Sequence, residues 1–197
     1  MARIRSEQGF GLIELLMAMV VLNVGLLATV AAFTSGTFAI TRADEIATAA
    51  TLADSQMEIY RALTYDWITL SATPSPALDS TYTSDAAYTG CSTSATPSCT
   101  HLNDSTMGSI CTGTGKVAVA FPAACAPIQD VTGPDHHGYR IDTFVSSIGS
   151  AAGPPAQRAH KDIVVVVRDG RTLKVLAREE SAFDCSTAAT GSNCPTS

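Results

Sequence analysis

Glu14 stands as a lone carboxylate at the head of a long apolar run. A charge in that position is costly unless it lies at a membrane interface or meets a cationic partner. Just before it comes the junction Gly9-Phe10, preceded by a short polar leader that carries Arg3 and Arg5. A secretory signal places its apolar stretch first and its small-residue cleavage site afterwards. Here the order is reversed. The other reactive side chains lie far downstream: Cys91, Cys99, Cys111, Cys125, Cys185 and Cys194 all follow the apolar run. An even number of cysteines confined to one part of the chain predicts disulfides in an oxidising compartment. Nearness in sequence favours Cys91–Cys99, Cys111–Cys125 and Cys185–Cys194, each closing a polar loop, although spacing alone does not fix the connectivity.

Signals for catalysis or cofactor binding are thin. The cysteines include no C-x2-C pair, and no histidine stands at ligand spacing to them, which disfavours zinc. Asp135-His136-His137 resembles a metal corner, but Gly133-Pro134 before it and Gly138 after it mark a turn. Asp130 to Asp135 offer oxygen ligands without EF-hand spacing. Gly113-Thr114-Gly115-Lys116 lacks the full phosphate-loop pattern. No G-x-S-x-G nucleophile elbow is present. Asn103-Asp104-Ser105 fits the N-x-S acceptor pattern, a short motif with frequent chance matches. The expectation is a protein with no enzymatic activity, no cofactor and no bound metal.

The elements that carry these residues follow from composition and periodicity. The chain has 197 residues, 15% of them charged, and a formal net charge of -6, a balance that argues against nucleic acid as a partner. From Leu15 to Thr41, 27 residues pass without an Asp, Glu, Lys or Arg; about 20 suffice to cross a bilayer. With Arg3 and Arg5 on the cytoplasmic side, the remainder of the chain is exported. After Arg42 the pattern turns amphipathic: Ile46, Ala49, Ala53, Met57, Tyr60 and Leu63/Thr64 recur at three- and four-residue steps. One helix from about Phe10 to Tyr65 is predicted, about 80 Å long at 1.5 Å per residue. Thr73-Pro74-Ser75-Pro76 closes helical structure.

Beyond it, residues 71–115 lack periodicity and read as a loop region held by cysteines. Strands are predicted at Lys116–Phe121, Tyr139–Val145, Asp162–Arg168 and Thr172–Arg178. Asp169-Gly170 supplies a two-residue hairpin turn, and Leu173, Val175 and Ala177 then share one face.

Taken together, Gly9-Phe10-Gly11-Leu12-Ile13-Glu14 and the apolar helix that follows resemble the class III signal of type IV prepilins and related pseudopilins. The resemblance covers about the first 60 residues. It implies cleavage by prepilin peptidase between Gly9 and Phe10, N-methylation of Phe10, and a role for Glu14, the fifth mature residue, in pairing with the free amine of Phe10 on a neighbouring subunit. Two departures stand out: Gly11 where the family usually has Thr or Ser, and Ala31 where many members carry a helix-breaking proline.

The implied fold class is α+β, the type IV pilin fold, with a long N-terminal helix packed on a small antiparallel sheet. The implied organisation is a leader at 1–9, an assembly half of the helix at 10–41, an amphipathic half at 42–70 and an exported domain at 71–197. That domain comprises the loop region 71–115, a β-meander at 116–180 and a cysteine-closed tail at 185–194. Within the family, the helix sequence and the late hairpin look most like V-type minor pilins. The implied partners are other pilin subunits, prepilin peptidase, and the inner membrane with its pilus assembly platform. The chain would be a single-pass inner-membrane protein before assembly and part of an extracellular pilus afterwards. A type II secretion pseudopilin and a pilus-tip binding module, whose loops contact a surface or receptor, are the alternative readings.

Overall fold

The computed structural model describes residues 11–63, 65–71, 78–91, 98–104, 125–149 and 159–184. The chain divides into two compact units between Asp44 and Glu45, and one helix, α1 (Leu12–Arg61), runs through both. In the second unit, the C-terminal part of α1 packs on a five-stranded antiparallel sheet. The strands are β2 (Cys99–His101), β4 (Ile128–Thr132), β5 (Gly138–Ile148), β6 (His160–Asp169) and β7 (Val175–Asp184). Their order is β2-β5-β6-β7, with β4 sharing the β2 edge of β5. Two further strands, β1 (Leu70–Ser71) and β3 (Asn103–Asp104), form a separate parallel pair.

Alternation along β5 fixes which face meets the helix. Tyr139, Ile141 and Val145 point to the α1 side, where Ile163, Val165 and Val167 of β6 join them. The helix brings Ala49, Ala53, Met57 and Tyr60, at the three- and four-residue steps the sequence shows. Ala49 and Ala53 are small, so the helix backbone can approach the sheet, while Met57 and Tyr60 fill the space below. Ile46, assigned to the same stripe, remains 41% exposed; Thr48 and Gln56 are buried in addition. Gln56 donates to Thr143 Oγ1 at 3.4 Å, giving this inward threonine of β5 a partner.

The opposite face of the sheet is covered too, and by different chemistry. Two one-turn helices, α2 (Ser80–Thr83) and α3 (Ala86–Thr89), lie within the span expected to be loop. Each is capped by an aspartate: Asp79 accepts from Tyr82 N and Asp85 from Ala87 N, both at 2.9 Å. Tyr82 stacks on Phe144 with centroids 4.3 Å apart and donates its hydroxyl to Thr143 O at 2.7 Å. Around this small apolar patch runs a chain of alternating charges. Fully buried Asp142 accepts from Arg140 Nε at 2.7 Å and Arg168 Nε at 2.8 Å. Arg140 reaches on to Asp79, and Arg168 to Asp85, which also takes Arg178 at 3.1 Å. The capping aspartates therefore act twice, once on their helices and once on the sheet.

Several expectations need correction. The helix ends at Arg61 and not at 65–70, because the chain must turn into β1. Ala62 N is shared between Glu58 O and Ile59 O, a tightened last turn, and Lys161 Nζ binds Tyr65 O at 2.6 Å and Ile68 O at 3.1 Å. The β6–β7 connection is the loop Gly170–Lys174, longer than two residues. Asp169 Oδ1 accepts from Arg171 N, Thr172 N and Thr172 Oγ1, winding the loop around one carboxylate. Leu173 consequently takes a left-handed φ of 58° and belongs to the turn. A register shift at Val167/Arg168 then leaves Val175 42% exposed, while Leu176, Ala177 and Phe183 pack on the core. Gly170 is required where it stands: a Cβ there would lie 2.7 Å from Gly138 O. The predicted strand Lys116–Phe121 lies outside the described residues.

The charge chain makes a testable claim. Removing its centre by Asp142→Ala leaves two arginines buried without their shared carboxylate, a loss of about 3–5 kcal/mol. Arg178→Ala removes an end member whose side chain is 38% exposed, and is expected to cost under about 1 kcal/mol. Denaturant unfolding of the two variants checks this; equal effects would contradict it. The pH dependence has a definite sign. Arg140 holds the Asp79 carboxyl well below the usual range. Burial pushes Asp85 up, but the Ala87 amide and then Arg178 and Arg168 outweigh it and hold it low. Depressed carboxyls contribute stability that is present at neutral pH and is lost as acid titrates the folded form.

Candidate functional site

The residues expected to act at the N-terminus divide between described and undescribed positions. Gly9 and Phe10 lie outside the described residues. Glu14 occupies the first turn of α1, where the positive end of the helix dipole favours a carboxylate. Gly11 O accepts from Glu14 N at 2.9 Å and Leu15 N at 3.2 Å, so the helical hydrogen-bond pattern begins at this residue.

From Leu12 to Asp44 every residue of α1 is exposed. Many of the side chains concerned are large and apolar, with Leu12 80% and Phe33 79% exposed. The helix is long and apolar enough to cross a membrane, and its most apolar window is wholly unburied within the chain. Its hydroxyls are compatible with that solvent. Thr29, Thr34, Ser35, Thr37 and Thr41 each donate to a carbonyl one turn back, which satisfies them without water. Gly25 and Gly36 have nothing of their own chain within 4 Å of an added Cβ, so no intramolecular contact demands glycine at either position.

The cysteine reading is met where it can be seen. Cys91 and Cys99 form a disulfide that ties the end of α3 to β2. Cys125 is disulfide-bonded as well. Cys111, Cys185 and Cys194 lie outside the described residues.

Three of the four histidine side chains have partners: His101, His137 and His160, the last with Nε2 3.4 Å from Asp162 Oδ1. His136 sits at the tip of the β4–β5 turn with φ 61°. His137 Nε2 lies 2.7 Å from Asp169 Oδ2, linking the two hairpin tips. Thr172 first, then His137, keep the Asp169 carboxyl well below its ordinary value. Asp135 takes the Tyr139 hydroxyl at 2.5 Å, and that bond leads the causes lowering its pKa. His101 stacks on Tyr88, centroids 4.3 Å apart, with Nε2 3.1 Å from Tyr88 O. Among the described residues, no cluster of three His, Cys, Asp or Glu side chains is placed to hold a metal. Asn103 is exposed in β3.

Sequence reasoning missed the charge chain. Its signal was the repeated D-x-x-Y at Asp79–Tyr82 and Asp85–Tyr88, two helix-cap patterns inside a segment that otherwise lacks periodicity.

Comparison with known proteins adds one finding. The family described as the prokaryotic N-terminal methylation motif matches residues 4–30, the junction and the first part of α1. No curated protein and no solved structure matches the chain. That motif is the class III signal peptide, the substrate of prepilin peptidase, and with the apolar helix it fits single-pass membrane anchoring before assembly with other pilins. Signal, exposed apolar helix and helix-on-sheet head together support a type IV pilin-like or pseudopilin protein.

Proposed function

We propose that this chain is a structural, non-enzymatic minor pilin. It is held in the inner membrane as a prepilin, cut between Gly9 and Phe10, N-methylated on Phe10, and drawn into an extracellular type IV pilus through α1. The observation that carries this reading is the position of Glu14. It is the only acidic residue between Leu12 and Thr41, on a helix whose side chains there find no cover in their own chain. In lipid, such a carboxylate is tolerated near the interface and becomes costly with depth. In a helical bundle it gains a cationic partner if the amine of Phe10 on a neighbouring subunit comes to it. Methylation leaves that amine charged, so the pair survives processing. A buried pair of this kind contributes register more than net stability.

Minor rather than major status is inferred from the cysteine-rich head and the resemblance to V-type pilins. The same signal also serves pseudopilins of type II secretion, and the genes that flank this one, for a pilus or for secretion, separate the two settings.

Two variants test the assembly reading. Glu14→Ala is expected to lose its leader normally yet fail to enter filaments, scored by immunoblot of sheared pili against the membrane fraction; normal incorporation would remove the assembly role. Gly9→Leu is expected to retain the leader, seen as an unshifted band beside the wild type. Cleavage at the wild-type level would place the junction elsewhere.

A further inference from the structure

Residues 79–91 lie over the outer face of the sheet as a cover that shares no backbone ladder with it. Their main-chain hydrogen bonds close within the cover: Thr83 N reaches Asp79 O, Tyr88 N reaches Asp85 O and Gly90 N reaches Ala86 O. Among the described residues, every tie from cover to sheet passes through a side chain. Arg140 of β5 takes Asp79 with both terminal nitrogens, at 2.5 and 2.9 Å. Arg168 of β6 takes one oxygen of Asp85, and Arg178 of β7 takes the other. Tyr82 packs with Ile128, Phe144, Val164 and Val166 in a cluster apart from the core that α1 covers. At the far end, Cys91 is bonded to Cys99 of β2, eight residues on. Helices of one turn do not hold alone in water, so these ties keep α2 and α3 folded as well as docked.

We propose that this cover is a switch with two independent locks, one of carboxylates that acid releases and one disulfide that a dithiol reductant releases. It opens as a unit while α1 stays packed on the inner face. The unit follows from the double use of Asp79 and Asp85: a proton on either carboxyl removes its ion pair and weakens its helix cap together. Asp142 keeps Arg140 and Arg168 as partners on the sheet in both states, so its charge is carried through. His101 of β2 stacks on Tyr88 and donates from Nε2 to Tyr88 O, a bond that survives protonation of the ring. Both capping carboxyls are depressed in the closed form. Closure therefore holds above their ordinary pKa, about 3.9, and weakens as pH falls below it. Freeing both takes up two protons, so opening rises by up to about 100-fold per pH unit in that range. The disulfide acts on the open form instead. Thiol exchange breaks its S–S bond and leaves two cysteine thiols, while the dithiol closes to its own disulfide. Releasing so small a ring adds freedom to the open cover alone, about 30–100-fold in opening. The switch belongs to the head and stands whether or not the chain enters a pilus.

The test is native-state hydrogen exchange on the full-length chain in detergent micelles, read by mass spectrometry as protection factors between about pH 2.5 and about pH 6. In the wild-type chain, protection over 79–91 is expected to fall below about pH 4 while β5 and β6 keep theirs. Cys91→Ser/Cys99→Ser, which spares the disulfide of Cys125, is expected to lower protection of 79–91 by about 30–100-fold with the pH slope unchanged. Asp85→Asn is expected to halve that slope, and Glu180→Gln, exposed beside Arg178 on the same face of β7, to leave it as it is. Retained protection of β5 and β6 in each variant verifies that the sheet is folded; should Asp85→Asn fail this check, Asp79→Asn, whose side chain is 45% exposed, makes the same test. Loss of protection in 79–91 and β6 at a single opening would overturn the cover as a unit. Wild-type protection in the double serine variant, or a full slope in the asparagine variant, would overturn the corresponding lock.

Discussion

The part of α1 between Leu12 and Ile40 presents its large apolar side chains to the surroundings and buries none of them in its own chain. That surface cannot remain in water: at about 25 cal/mol per Å² of apolar area, a helix of this length would be driven out of aqueous solvent many times over. Lipid before assembly and neighbouring helices afterwards both satisfy the constraint, and the same side chains serve in each. The rest of the molecule follows. One carboxylate can mark a register along an otherwise apolar rod, and the remainder of the chain must fold without help from that half of the helix.

The head meets this last demand with two kinds of adhesion on the two faces of one sheet. Toward α1 the contact is apolar and close, through Ala49 and Ala53 over β5 and β6, with Met57 and Tyr60 filling below. On the outer face, Asp79 and Asp85 both cap α2 and α3 and pair with Arg140 and Arg168, while Asp142 joins the two arginines from beneath. The apolar face supplies most of the favourable free energy. The ionic face costs desolvation and ties α2 and α3 to the sheet, since each capping aspartate also meets an arginine of β5 or β6. The Cys91–Cys99 disulfide then ties this covering segment to β2.

Much of this was legible in the sequence because it is carried by period and composition. The apolar run, the stripe Ala49–Ala53–Met57–Tyr60, and the strands around Ile141 and Val165 each announce themselves within a few residues. What escaped depends on contacts across the chain. Arg140 and Asp142 alternate with Tyr139 and Ile141 and so resemble a solvated strand face; only the return of residues 79 and 85 from far upstream buries them. Leu173 fits a strand pattern, yet Asp169 winds the following residues into a loop through three hydrogen bonds. The early end of the helix at Arg61 follows from Lys161 and from the parallel pairing of β1 with β3, neither of which is a local signal. At the N-terminus the situation is reversed. The junction Gly9-Phe10 is a linear motif within the matched residues 4–30, legible in sequence without any contact across the chain.

The central claim is that one N-terminal helix passes from membrane to filament after processing at Gly9-Phe10. Mass spectrometry of the N-terminal peptide, taken from filaments sheared off intact cells, tests it most directly. The account predicts a peptide that begins at N-methylated Phe10 and contains Glu14. Recovery of the chain only from membranes, or from filaments with residues 1–9 still attached, would contradict it.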